Sequence, residues 1–168
     1  GLNEGILPVQ EIRGAIESGM ISAATPITDA QLQPASLDLR LGSRAWRVQS
    51  SFLPGAEMRV EDKLARVAMH QIDLTGGAVL ERGCVYIVEL QESLRLAAGL
   101  SAMANPKSST GRLDIFTRLI ADQAPEFEAV PDGYQGPLYA EISPRTFSVL
   151  VRPGSCLSQL RLRRGPAA

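Results

Sequence analysis

In Ser36-Leu37-Asp38-Leu39-Arg40-Leu41 polar and apolar residues alternate strictly, with the three leucines facing one way and Ser36, Asp38 and Arg40 the other. A period of two is the signature of a strand with one face in the core. The segment therefore predicts a half-buried strand, ended by Gly42. Similar short runs stand at 45–48, 78–80, 85–90, 100–104, 138–142, 147–151 and 156–162, and a further one begins at Gln71 just after His70. Gly76-Gly77, Pro131-Asp132-Gly133 and Pro153-Gly154 punctuate them as turns. Before the strands the period is helical: Val9, Ile12 and Ile16 share a face, Pro8 suits a first turn and Gly19 a last one, which predicts a helix over 7–20. The acidic, proline-containing stretch 121–130 reads as a surface loop. Many short strands with close turn signals predict an all-β barrel or sandwich with little helix.

Composition narrows the function. With 168 residues, 45% apolar and 21% charged, the chain is one ordinary globular domain large enough for a core. A net charge of -1 argues against binding long nucleic acid, which needs a broad basic face. A small polyanion needs only a few focused donors and stays open. The apolar runs are far shorter than the ~20 residues that span a bilayer, and no leader points to secretion, so the expected location is cytoplasmic. Cys84 and Cys156 are isolated and read as buried free thiols. There is no Cys-x-x-Cys pair and no His-x-Glu, so the expected chemistry uses no zinc. His70, the only histidine, has no evident nucleophile beside it and reads as structural.

Two segments could carry chemistry. In Asn105-Pro106-Lys107-Ser108-Ser109-Thr110-Gly111-Arg112-Leu113, Pro106 stops a strand and Ser108, Ser109 and Thr110 suit an N-cap, with a helix continuing through 112–116. Lys107, Arg112 and the hydroxyls would converge there on a phosphate-type anion; the plainer alternative is a polar loop capping a helix. In the strand Leu138-Tyr139-Ala140-Glu141-Ile142-Ser143, Glu141 shares a face with Tyr139 and Ser143. Facing a pocket it could activate a water; facing solvent it would be an ordinary strand glutamate.

The series Gln33-Pro34-Ala35-Ser36-Leu37-Asp38-Leu39-Arg40-Leu41-Gly42, Lys107-Ser108-Ser109-Thr110-Gly111-Arg112-Leu113, Gly133-Tyr134-Gln135-Gly136, Arg152-Pro153-Gly154 and Gln159-Leu160 resembles the motifs of the trimeric dUTPase and dCTP-deaminase superfamily, in order and spacing. The resemblance runs from the N-terminal helix to Leu162 and is to the first half of longer two-domain members. It implies a single dUTPase-like domain over 1–168, excised from a longer chain, with a distorted β-barrel over 33–164, a short N-terminal helix and one short internal helix. It also implies a homotrimer with active sites between subunits, and dCTP or dUTP held with Mg²⁺ bound mainly through the triphosphate. Lys107, Ser108, Ser109, Thr110, Gly111 and Arg112 match the nucleotide-binding segment, and Tyr139 and Ala140 the strand that contacts the base. Lys107 stands where the family more often has arginine.

Glu141 matches the deaminase glutamate that takes a proton from water and returns it to the cytosine amine. The dUTPase water-binding aspartate, and the deaminase aspartate for the sugar 3′-hydroxyl, align with Pro131; Asp132 is the neighbour that could take its place. The resemblance thus implies dCTP deamination to dUTP and ammonia, with Ser108 and Arg112 orienting the water. The alternatives are a non-catalytic nucleotide-binding or trimerising domain of the same fold and, further off, a dUTP diphosphatase. The family's C-terminal tail, which folds over the triphosphate, has no counterpart after Arg164.

Overall fold

A computed structural model describes residues 5–49, 53–55 and 57–165. In chain order the first elements are β1 (Gly5–Ile6), α1 (Val9–Glu17), β2 (Ile21–Ala23), β3 (Leu32–Gln33) and β4 (Ser36–Val48). Next come α2 (Val60–Val67), β5 (Ala68–Asp73), β6 (Ala78–Leu80), β7 (Val85–Arg95) and β8 (Leu100–Pro106). The last are α3 (Ser108–Arg112), β9 (Ile115–Ala121), β10 (Ala129–Val130), β11 (Gln135–Pro144), β12 (Val149–Val151) and β13 (Cys156–Arg164).

One antiparallel sheet carries nearly all of this, in the order β10-β8-β13-β4-β7-β11-β9, with β1, β2, β3 and β5 added at its flanks. β12 and β6 form a separate two-stranded ribbon. The sheet curls until its ends meet at Glu128: its N–H donates to Leu119 and its C=O accepts from Ala104. Glu128 can bridge both because it adopts φ 63°, the left-handed region. This is the barrel-like, mostly β architecture with few helices that the strand pattern anticipates.

Two apolar layers hold it together. Inside the curl, Leu37, Leu39, Leu41, Val88, Leu119, Ala140, Ile142, Leu160 and Leu162 pack with Ile12 and Ala15 of α1. On the outer face of the sheet, Trp46, Ile87, Ile120 and Tyr139 are covered by Val60 and Leu64 of α2. Each large buried side chain is worth about 1.5–3 kcal/mol relative to exposure.

Several expectations change. Gly42 does not end a strand: β4 runs through it for 13 residues. The strand instead turns a corner there. β4 pairs with β13 over 37–40 and with β5 and β7 over 44–48, and its register against β7 shifts between Leu41 and Ala45. A Cβ at Gly42 would lie 2.7 Å from the Glu89 carbonyl oxygen, so glycine permits a bulge with close backbone approach.

The polar face of β4 is not solvated either, because Ser36, Asp38 and Arg40 are buried. The helix expected through 112–116 stops at Arg112, and 115–121 is a strand with Ile115, Thr117, Leu119 and Ala121 buried in alternation. Its N-cap is Lys107, while Thr110 is buried and donates its hydroxyl to Leu157 C=O at 2.8 Å.

A third helix, α2, was not anticipated. Val60 and Leu64 lie four apart on its buried side, Glu61 and Asp62 sit in its first turn and Arg66 in its last, each matching the helix dipole. The acidic segment is anchored and does not hang free: Asp122 accepts the Val60 N–H at 2.8 Å, and Ala124 is buried. Both cysteines are free and only half-buried, and burial pushes the Cys156 thiol up. His70 is exposed on β5.

Candidate functional site

The first place where motif segments meet is a cleft of about 440 Å³ lined by Gln33, Ser36 and Asp38, by Lys107 and Ser108, and by Gln159 and Arg161. It follows directly from topology. β13 lies between β4 and β8, with Gln159 opposite Asp38 on one side and Asn105 on the other. Lys107 Nζ donates to Asp38 Oδ2 at 2.5 Å. Asp38 is 4% exposed, and its Oδ1 has no hydrogen-bond partner among the described residues. Arg161 Nη1 donates to Asn105 Oδ1 across the ladder. The cleft therefore offers two cations, one incompletely used carboxylate, hydroxyls and two amides. That set suits an anion with its counter-cation.

The floor of this region is a fully paired network. Arg40 Nε donates to Glu92 at 2.8 Å, its two terminal nitrogens reach Thr25 Oγ1, Thr25 C=O and Pro26 C=O, and Gln31 Nε2 bonds both Glu92 and the Asp38 carbonyl. Glu92 also accepts the Arg40 N–H at 2.7 Å. These bonds satisfy a carboxylate that is 1% exposed and explain why the polar face of β4 is buried.

The second place is Glu141, at mid-strand in β11 and also 1% exposed. It pairs in register with Arg118 of β9, whose Nε donates to Glu141 Oε2 at 2.8 Å. Phe127 stacks on the Arg118 guanidinium, 3.4 Å from its carbon to the ring centroid, and Phe116 lies at 5.0 Å. Tyr139, two residues back on the same face, is buried in the α2-covered layer, and burial pushes its hydroxyl up. Ala140 points into the interior.

The expected site residues thus fall into separate groups. Lys107 and Ser108 line the cleft. Ser109, Gly111 and Arg112 are exposed on α3, and the side chains of Ser108, Ser109 and Arg112 make no hydrogen bond or ion pair among the described residues. Glu141 is not part of that cleft. Asp132 lies beside Pro131 at a third position, a more apolar cleft of about 360 Å³, where its Oδ1 accepts the Gly99 N–H at 3.1 Å. Within one chain the geometry does not bring Glu141, Arg112 and Asp132 together.

The Gly133–Gly136 motif has a structural role. Tyr134 Oη accepts the Asp122 N–H at 3.0 Å and donates to Pro137 C=O at 2.5 Å, tying the acidic segment to β11. A Cβ at Gly136 would sit 2.9 Å from that hydroxyl.

Sequence reasoning missed Arg118 and Phe127, although alternation over 115–121 would have placed Arg118 beside Glu141. It also passed over Asp38, Gln159 and Arg161, which stand within or next to the quoted motifs. Among the described residues no three His, Cys, Asp or Glu side chains gather in a metal cage, and no helix is long and apolar enough to cross a membrane.

Comparison with known proteins identifies the family. Residues 3–166 match the model of the 2′-deoxycytidine 5′-triphosphate deaminase N-terminal domain. The crystal structure of 2′-deoxycytidine 5′-triphosphate deaminase from Agrobacterium tumefaciens superposes with a TM-score of 0.95 at 58% identity, covering 98% of this chain and 50% of that one. The present chain therefore spans half the length of that protein. The dCTP deaminase, dUMP-forming, of Beutenbergia cavernae is 28% identical over 92% of this chain and 77% of its own. The dCTP deaminase of Haloarcula marismortui is 31% identical over 79% of this chain and 66% of its own. With a match that runs almost from end to end, the chain belongs to the dCTP deaminase N-terminal domain family.

Proposed function

We propose that this chain catalyses hydrolytic deamination of dCTP to dUTP and ammonia, as a homotrimer whose sites form between copies. The observation that carries the reading is Glu141. It is a buried carboxylate on a strand paired on both sides, at the position the deaminase motif requires, in a chain 58% identical to half of a dCTP deaminase. A base on a strand keeps its geometry through the reaction.

In this reading water oxygen bonds to C4 of cytosine as one water proton passes to Glu141. The C4–N3 π pair moves to N3, which takes up a proton. Collapse breaks the C4–N4 bond as the amine is protonated and leaves as ammonia, and C4 becomes the carbonyl of dUTP. Both water protons are accounted for, one on N3 and one on the amine. Ser108 and Arg112 donate toward the water and the developing charge. Their side chains are exposed and without partners among the described residues, and the α3 surface that bears them also exposes Leu113. Such a surface fits against the Glu141 face of a neighbouring copy.

The triphosphate occupies the cleft of Lys107, Ser108, Gln159 and Arg161. One carboxylate, already held by Lys107, is no cage for a divalent ion, which fits Mg²⁺ carried on the phosphates, and Asp38 is the residue that would help hold it. When bound, Mg²⁺ would neutralise phosphate charge. Asp132 takes the sugar 3′-hydroxyl, and Tyr139 and Ala140 line the base through the β11 strand. The water is activated by Glu141 without zinc.

The test is incubation with dCTP, dUTP and Mg²⁺, following ammonia and pyrophosphate separately, beside Glu141→Gln. Ammonia from dCTP, lost in the variant, is expected; pyrophosphate from dUTP, or no product from a folded trimer, overturns the reading. Mixing Glu141→Gln with Arg112→Ala chains should restore activity at about a quarter of the sites, because shared sites combine one intact half from each copy. No recovery on mixing would place both residues in one copy.

A further inference from the structure

We propose that Arg118, clamped by Phe127, is a positioning residue that holds Glu141 ionised and in one rotamer before substrate arrives. The inference rests on the reading of Glu141 as the general base.

A carboxylate with 1% exposure stays charged only with a partner, since burial alone favours the neutral acid. Arg118 is such a partner, at 2.8 Å in cross-strand register. Its own geometry is unusual for a buried pair. Among the described residues Arg118 donates only through Nε, while Phe127 at 3.4 Å and Phe116 at 5.0 Å sit against its guanidinium. Aromatic faces attract the cation without competing for its hydrogen bonds. The side chain is thus fixed by stacking, and its terminal nitrogens stay uncommitted among the described residues.

Phe127 is delivered by the acidic segment, which is held at three points. Asp122 accepts from Val60, Tyr134 Oη accepts from Asp122, and the Glu128 carboxylate accepts the Leu119 N–H on the strand that carries Arg118. A segment with no evident purpose in the sequence thereby becomes the strap that sets the base. Charged and titratable groups flank Glu141 on several elements among the described residues. Arg118 faces it from β9, with Glu128 behind Arg118; Tyr139 is on its own strand; and Glu89, on β7, is already bound by Arg44 at 2.7 Å. Arg118 is the cation among them that pairs with Glu141.

The test compares Arg118→Gln, Arg118→Lys and Phe127→Leu in the intact chain by carbon-13 NMR titration of the Glu141 side-chain carboxyl, assigned by its absence in Glu141→Gln. Loss of an adjacent opposite charge is expected to raise the midpoint by about one unit or more in Arg118→Gln, with Lys restoring part of it and Phe127→Leu giving a smaller rise. An unmoved midpoint in folded Arg118→Gln overturns the proposal; if that variant does not fold, an unmoved midpoint in Phe127→Leu does so. In active protein, the acid limb of kcat should move with the NMR midpoint while KM for dCTP stays within about twofold. A raised KM with a fixed acid limb would instead make Arg118 a nucleotide contact. Should the chain release no ammonia, the deaminase reading fails while the NMR titration still decides the clamp.

Discussion

Two buried Arg–Glu pairs in this molecule have nearly the same length and opposite character. Arg40–Glu92 and Arg118–Glu141 are both 2.8 Å, and both carboxylates are almost fully buried. Arg40 spends every nitrogen of its guanidinium on a fixed acceptor, and Glu92 is met by Arg40 and Gln31. That pair is a closed network in which each charge is fully compensated, so it acts as a staple between β4, β7 and the 25–31 loop. Arg118 is 26% exposed at its side chain and, among the described residues, is held by one hydrogen bond and two rings, one of them from the acidic segment. Burial alone therefore does not distinguish a structural ion pair from a working one. What distinguishes the two pairs is the arginine: Arg40 commits all three of its guanidinium nitrogens, and Arg118 only its Nε among the described residues.

The sharpest way to break this comparison is to neutralise each glutamate in turn. Glu141→Gln should lower kcat by about 10²–10⁴, the usual contribution of a general base, with little change in unfolding midpoint. Glu92→Gln should do the reverse. Equal losses of activity, measured by ammonia release on protein of verified fold, would put the two carboxylates in one class.

A second test removes the cations. Arg40→Met strands Glu92 inside a closed network and should cost about 3–5 kcal/mol in urea unfolding. Arg118→Met should cost about 1–2 kcal/mol, because its surroundings are partly wet and Glu141 can take up a proton. A larger loss for Arg118→Met than for Arg40→Met would reverse the assignment.

The corner of β4 connects both regions, since β4 carries Arg40 before Gly42 and Trp46 after it. Gly42→Ala brings a Cβ to 2.7 Å from backbone, which cannot be relieved by a side-chain rotation. About 1–3 kcal/mol of destabilisation is expected from such overpacking, read from the thermal or urea midpoint. An unchanged midpoint would show that the bulge relaxes freely.

The smallest effect concerns the strap. Burial raises the carboxyls of Asp122 and Glu128. A folded pKa above the unfolded one means that the stability contribution is complete below the unfolded pKa and lost as pH rises through the folded value. Asp122→Asn keeps the acceptor for Val60 and removes the charge. It should gain on the wild type as pH goes from about 4 to about 7, the range above a normal carboxyl pKa. A gap that stays constant with pH would remove Asp122 from the account.

The amino-acid sequence by itself determined the class of fold and the chemistry available. Alternation placed the leucines of β4 and the apolar face of β11 inside, because the side-chain period of a strand is fixed by its backbone. Glu141, Lys107 and Ser108 were readable as candidates because they occupy motif positions. Gly19 was readable as a helix end, and it takes φ 85° there.

Only the tertiary structure decided which polar residues are buried. The polar side of β4 looked solvated until Glu92 arrived from β7, 52 positions away, to pair with Arg40. Residues 112–116 carried acceptable helix signals, but the pairing of β9 with β11 outweighed them. Long-range pairing also brought Asp38, Lys107 and Gln159 to one cleft and Phe127 onto Arg118. Contacts of this kind leave no local period in a sequence, since each depends on a partner supplied by a distant strand.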